Sequence, residues 1–467
     1  MSDFPVPTNT SFADLFSEGR APRFWFICLA VWLNAADSLV TATIMPNVGA
    51  DLGGYAFFSW AVAGFLMGAI LASASAGRLS ELLGLRSATT IAGIIFAAGC
   101  TISALAPNIG MFLAGRVVQG IGSGWVSGFA MVATALIFPH RHLARMFAST
   151  AGVWGIATIL GPLIGGMLVQ AGNWRADFWL FAVQAVLFKM AAPFLLRGSG
   201  GKRFHASIPW LQLTLLTVGV GAIALANLGA NSIVAFSLVG SGLAIVLIVL
   251  WTDGAASVRM FPHRAGSLRT TAGLGYTAMF ALFASSMGLI VFAPPILQAM
   301  RRLSPMSAGY VVAAQALAWT LTAFAVATAS GRVETRCIRL GGACILASVV
   351  CLMLGLGQAP LVMVIASAAL MGVGFGLCFS FINRRVLGVL SNDDRAIGAS
   401  AFILVRQTGG AVGAAIAGAT ANLAGFKEGM TVFAAQSSST WIFATALPLA
   451  VVGAWAAWQL TKIPDPW

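Results

Sequence analysis

An aspartate inside an apolar run is the first residue of this sequence that invites a chemical reading. Asp37 lies within the run 24–46 and is the only acid well inside any apolar run of the chain. Asn34, Asp37, Ser38 and Thr41 fall at i, i+3, i+4 and i+7, which places them on one face of a helix. In the run 109–133, Arg116, Gln119, Gly120 and Ser123 repeat that spacing. Ionisable groups inside a membrane are costly, so an acid and a base kept there are functional candidates. A carboxylate away from water favours its neutral form, and an approaching cation restores the charged one. The pattern predicts proton exchange on Asp37, tuned or relayed by Arg116. The bland alternative is a static polar pair that pins two helices. At about 1.5 Å per residue, both residues sit at similar depth, roughly 10–13 Å from the outer ends of their helices.

Other side chains mark a candidate pocket. Trp60, Trp125, Trp154, Gln315 and Trp319 lie in four apolar stretches, with Asn34, Thr41, Gln119 and Ser123 supplying polar groups. Such a set suits an amphipathic or apolar ligand held by buried area and a few hydrogen bonds. Arg406 has no acid within the apolar runs to pair with. It is expected to bond backbone carbonyls, to reach toward the inner surface or to contact an anionic group, the first two being favoured. His140, His142, His205 and His263 all fall between apolar runs, so no metal-dependent intramembrane enzyme is expected. The six cysteines sit in or beside apolar runs and read as small packing residues rather than a disulfide framework.

The elements that must hold these groups follow from composition. Of 467 residues, 59% are hydrophobic and 8% charged, against about a quarter charged in a soluble protein. Most of the surface must face something other than water, which excludes a soluble enzyme. The net charge of +13 reads as anchoring to an anionic membrane face rather than nucleic-acid binding. A span needs about 20 apolar residues. On that rule, spans are predicted at 24–46, 55–77, 87–106, 109–133, 147–170, 176–196, 208–228 and 232–252. Six more are predicted at 271–297, 308–330, 340–357, 360–383, 399–422 and 434–460.

With the first 23 residues placed in the cytoplasm, the outer loops hold only Arg175, Arg301, Arg302 and Lys427 of the 26 Lys and Arg. Arg116, Lys189 and Arg406 fall inside spans, and the rest lie on the inner side. That asymmetry predicts fourteen spans with both termini cytoplasmic. The first apolar run is too long for a signal-peptide core and is expected to stay as a span.

An internal repeat divides the chain. "SAGRL" at 75–79 returns as "ASGRV" at 329–333, Ala106-Pro107 as Ala359-Pro360, and "GIGSG" at 120–124 as "GVGFG" at 372–376. The near-constant spacing predicts two six-helix bundles, 24–196 and 271–460, with an inserted pair at 208–252. Loops are expected at 197–207 and 253–270, and tails at 1–23 and 461–467. Six helices per half makes this a parallel repeat about the membrane normal. No GxxxxGK[ST] phosphate loop is present, so ATP-driven transport by this chain alone is not expected.

These features resemble the major facilitator superfamily, and within it the fourteen-helix drug:proton antiporter group. "LNAADSLVTATIMPNVGADLGG" at 33–54 resembles that group's first-helix signature, with its membrane acid at Asp37 and a helix-end proline at Pro46. "GRLSELLGLR" at 77–86 resembles the superfamily loop after the second helix, through Gly77, Arg78, Gly84 and Arg86, with Glu81 in place of the usual Asp. "RVVQG" at 116–120 matches the fourth-helix motif linked to proton coupling. "GVWGIATILGPLIGG" at 152–166 resembles the antiporter motif, with Gly155, Gly161, Pro162, Gly165 and Gly166 in place. "PPILQAMRRLSPMSAGY" at 294–310 and "RQTGGAVGAAIAG" at 406–418, which begins at Arg406, look like second-half segments of the same group.

The resemblance implies a monomeric inner-membrane exporter with no bound cofactor, driven by the proton gradient. Two bundles would rock about a midplane site and move hydrophobic compounds outward. Alternatives are a metabolite or siderophore exporter or importer on the same scaffold, or a non-transporting sensor.

Overall fold

Caps and turns chosen by the sequence divide the chain into fourteen α-helices among the described residues. The computed structural model describes residues 16, 19–138, 140–197, 209–226, 232–254, 256, 258–327, 329 and 331–463, apart from a few side chains within helices. The helices are α1 (Ala21–Leu52), α2 (Trp60–Leu83), α3 (Leu85–Ala104), α4 (Ile109–Ile137), α5 (His140–Gln170), α6 (Arg175–Leu195) and α7 (Trp210–Leu225). They continue as α8 (Ser232–Asp253), α9 (Thr271–Arg301), α10 (Pro305–Ala325), α11 (Arg332–Gly355), α12 (Leu361–Gly388), α13 (Asn392–Leu423) and α14 (Val432–Leu460). Asn108, Thr270, Ser304, Ser391 and Thr431 each accept a first-turn amide with the side chain, as N-caps do. The predicted loop 197–207, with His205, lies almost wholly outside the described residues.

Twelve of these helices are long and apolar enough to cross a membrane. Two are not. α7 has 16 residues, short of the roughly 20 that a bilayer requires. α4 has 29, but Arg116, Gln119 and its glycines dilute it. The outward faces are apolar: Trp251 is 82% and Phe433 81% exposed. Lipid satisfies such a skin and water does not. The chain is a multi-pass membrane protein.

Several boundaries differ from expectation. Pro46 does not end α1, which runs six residues further to a left-handed Gly53 at φ 62°. A proline removes one amide but allows a long, packed helix to continue. α5 begins at His140 and α13 at Asn392, each seven residues before the predicted start, because polar first turns carry these helices past the apolar stretch.

Helices α1–α6 pack among themselves, as do α9–α14, while α7 and α8 pair with each other and lean on α2 and α13. The repeat is visible atom by atom. A Cβ built on Gly120 of α4 would lie 2.0 Å from the Phe65 carbonyl oxygen of α2, and one on Gly372 of α12 would lie 2.0 Å from the Gln315 carbonyl oxygen of α10. Each half therefore brings two backbones together at the same repeated glycine. Gly120→Val is expected to cost at least about 3 kcal/mol through overpacking, read as a lowered Tm and poor yield in detergent. Gly155→Ala should be close to neutral, since a Cβ there meets nothing within 4 Å.

The halves meet mainly toward the end of the bundle where α1 finishes, called here the Asp51 end; the opposite face is the Arg20 end. There α5 packs on α10 and α2 on α13. Asn422 Nδ2 donates to the Ala56 carbonyl at 2.6 Å. Phe426 meets Phe58 and Phe292 edge-on at 5.7 and 5.3 Å. Nearer the middle, Ser73 Oγ donates to Gln407 Oε1 at 3.1 Å.

Candidate functional site

The polar faces of α1 and α4 turn toward each other, as their shared spacing requires when both helices are buried. Arg116 Nη1 lies 3.2 Å from both Asp37 oxygens. Gln119 Nε2 donates to Asp37 Oδ1 at 2.8 Å, and Gln119 Oε1 accepts from Arg116 at 2.6 Å. Arg116 Nε donates to the Ala61 carbonyl at 3.3 Å, and its guanidinium lies over the Phe65 ring of α2 at 4.6 Å. One turn along, Asn34 Nδ2 donates to Ser123 at 2.7 Å and to Ser127 at 3.1 Å. Thr41 faces the same carboxylate from the next turn of α1. The base is thus held by α1, α2 and α4 together.

Asp37 is 0% and Arg116 2% exposed. The carboxylate is sealed from water in this conformation rather than open to an aqueous path, because the glycines of α4 let α2 and α3 close over it. A buried pair of this kind is stable only while both partners are present. Chemically it is a carboxylate held beside a single guanidinium.

Asp37 is not the only buried acid. Asp177, in the first turn of α6, is 0% exposed. The sequence hid it because it stands two residues from a helix start, where an acid normally faces water. Here Phe112, Trp174 and Phe178 pack edge-on around that turn. Glu334 was likewise missed. It receives Arg385 Nε at 3.1 Å and also pairs with Arg384, tying α11 to α12. At the 254-residue offset of the repeat it stands opposite Ser80, one position from Glu81.

The contacts of the proposed pocket residues fall into several groups. Gln119, Ser123, Asn34 and Thr41 belong to the Asp37 cluster. Trp319 stacks on Phe375 at 5.0 Å and meets Phe283 and Phe379 edge-on, an aromatic group inside the second half. Gln315 is buried beside it on α10. Trp60 is half-buried at the Asp51 end, its indole N–H without a partner. Trp125 donates to Ser75 at 2.8 Å, and Trp154 is exposed on α5. Periodicity finds faces within a helix, but it cannot say which faces of distant helices meet.

Arg406 departs from the expected bond to backbone carbonyls. Its guanidinium lies 5.8 Å from the Phe283 ring centre, with no hydrogen bond or ion pair among the described residues. A ring face attracts a cation without using its donors.

The α5 motif divides by neighbour. A Cβ on Gly161 would meet Leu39 at 2.7 Å and one on Gly165 would meet Thr43 at 3.1 Å, both on α1. A Cβ on Gly166 would meet Met306 of α10 at 2.4 Å, while Pro162 abuts Gly309 of α10. Gly155 touches nothing and takes no part in this seal. In the α2–α3 joint, Gly84 takes φ 75°, Arg78 is half-buried and Arg86 exposed. The surroundings of Gly77 and Glu81, and the side chains of His140 and His142, lie outside the described residues.

The Major Facilitator Superfamily family model matches residues 27–207. A probable multidrug-efflux transporter of Mycobacterium tuberculosis (strain ATCC 25618 / H37Rv) is 27% identical over 454 residues, covering 92% of each chain. The multidrug transporter protein MdtP of Bacillus subtilis (strain 168) is 24% identical over 405 residues, 85% of this chain and 74% of that one. Among solved structures, a peptide transporter POT in complex with alafosfalin superposes with a TM-score of 0.70 at 15% identity, covering 94% of this chain and 95% of that one. A D-xylose-proton symporter gives 0.64 at 16%, covering 96% and 98%. At these identities the two structures establish the fold.

Proposed function

From the premise that the chain belongs to the major facilitator superfamily and is a transporter, we propose that it exports hydrophobic or amphipathic small molecules in exchange for protons. The observation that carries this reading is the buried Asp37–Arg116–Gln119 cluster between α1 and α4. In the sealed form Arg116 neutralises Asp37. When rearrangement of α4 against α1 draws the guanidinium away, the carboxylate takes up a proton, and the return of Arg116 expels it. Alternating access supplies the two sides. The halves here touch chiefly at the Asp51 end, which suits a state open toward the Arg20 end. The efflux activity in the relatives' names, and the α5–α10 seal, support the outward direction.

On this reading the chain makes fourteen passes of the inner membrane. The two bundles are 24–196 and 271–460, with 208–252 inserted and both termini cytoplasmic. The Asp51 end faces outward. The protein acts as a monomer, draws on the proton gradient without a cofactor, and has no nucleic-acid partner.

The test is dissipation of an imposed pH gradient in inside-out vesicles across a panel of lipophilic compounds. Wild type and Cys351→Ser, an exposed position, should dissipate the gradient with at least one compound, and Asp37→Asn should not. Compound-driven dissipation that survives Asp37→Asn would sink the assignment.

A further inference from the structure

Asp177 is a carboxyl group that the scheme above does not use. Its side chain is fully buried, and neither oxygen has a hydrogen-bond partner. Helix N-termini often hold an anion with free amides. In α6 those amides are taken: Ala176 N donates to Asn173 Oδ1 at 3.2 Å, and Asp177 N to the Trp174 carbonyl at 3.2 Å. Arg175, two residues away, is turned outward to Asp51 and to the Ala106 carbonyl.

The ionisable groups within electrostatic reach are Asp37 of α1, Arg116 of α4 and Cys100 of α3. Arg116 is committed to Asp37, Gln119 and Ala61. Two buried acids therefore share one buried base, and that base serves only the first. An ionised carboxylate without donor, cation or water is among the least tolerable groups in a protein interior. A carboxylic acid in the same place carries no charge to compensate.

We propose that Asp177 is a second proton-binding carboxyl of the N-terminal half, holding one proton while Arg116 neutralises Asp37. This rests on reading that half as the proton-carrying half, and it extends the carrier from one acid to two. When Arg116 moves from Asp37 toward Asp177, Asp177 gives up its proton and Asp37 takes one up in its place. The net charge of the three groups is unchanged. The sealed state of the pair is then already loaded with a proton.

Infrared spectroscopy of the purified full chain, labelled with carboxyl-¹³C aspartate, tests this directly. At neutral pH the wild type should show an isotope-shifted carboxylic-acid C=O band, although free aspartic acid ionises near pH 3.9. The band should vanish in Asp177→Asn and persist in Asp37→Asn. A wild-type spectrum without the band overturns the proposal whether or not any variant folds. A band unchanged in Asp177→Asn overturns it as well, and Asp177→Leu provides the same comparison if the Asn variant does not accumulate. Transport that survives Asp37→Asn would count against proton coupling at Asp37 while leaving the Asp177 band in place, so the two readings fail separately.

Discussion

Arg116→Leu should lower the stability of the folded protein by about 3–5 kcal/mol, because it leaves a buried charge without its partner. Asp37 would keep only the Gln119 amide as a donor, at 0% exposure. Asp37→Asn alone should cost a comparable amount by stranding the guanidinium, although the Ala61 carbonyl and the Phe65 face would still hold it. The double variant Asp37→Asn/Arg116→Leu removes both charges and keeps one amide able to bond Gln119. It should recover most of the loss, because replacing a whole buried pair is often nearly neutral. Thermal melts of wild type, the two single variants and the double variant in detergent close the cycle, with an expected coupling energy of about 3 kcal/mol or more, at the top of the usual range. The double variant should fold and yet lose pH-driven transport. Additive losses, with no recovery in the double variant, would mean that the observed contact contributes little.

The second large effect is expected at the seam between the halves. Gly166→Val places side-chain atoms where Met306 stands, since even a Cβ would lie 2.4 Å from the Met306 Cβ and 2.9 Å from its Cα. These are α5 and α10, which belong to opposite halves, so the strain falls on the contact between bundles and not on the packing within either. Overpacking of about 1–3 kcal/mol shifts a two-state equilibrium roughly 5- to 150-fold away from the conformation seen here. The protein should still fold, with Tm near wild type, while transport falls steeply. Spin labels at Ala171 and Lys427, exposed residues on opposite halves at the Asp51 end, should report a distance distribution moved to longer values. An unchanged distribution would show that the α5–α10 contact does not govern the conformation. The contrast with Gly120→Val is the point of the comparison: there the same kind of clash lies inside one half and should unfold it.

Both expectations begin from features already present in the linear sequence. The 3.6-residue repeat fixed which face of α1 carries Asp37 and Asn34 and which face of α4 carries Arg116, Gln119 and Ser123. The scarcity of charge then required those faces to be buried. The repeated "GIGSG" and "GVGFG" fixed where the backbones within each half come closest, because only glycine admits a carbonyl at that distance. Local periodicity and overall composition are properties of the chain alone, so they are legible without a fold.

Tertiary structure decided the rest. It covered the first turn of α6 with aromatic rings, turning Asp177 from a helix-end acid into a buried one. It set Glu334 on Arg384 and Arg385 across α11 and α12. It split the tryptophans and glutamines of the expected pocket among separate neighbourhoods, laid Arg406 over Phe283, and gave Gly166 a partner on α10 while leaving Gly155 with none. Each of these depends on which helices become neighbours and on how they are rotated. Helix packing selects such neighbours from many nearly equivalent apolar faces, and one chain's sequence does not rank them.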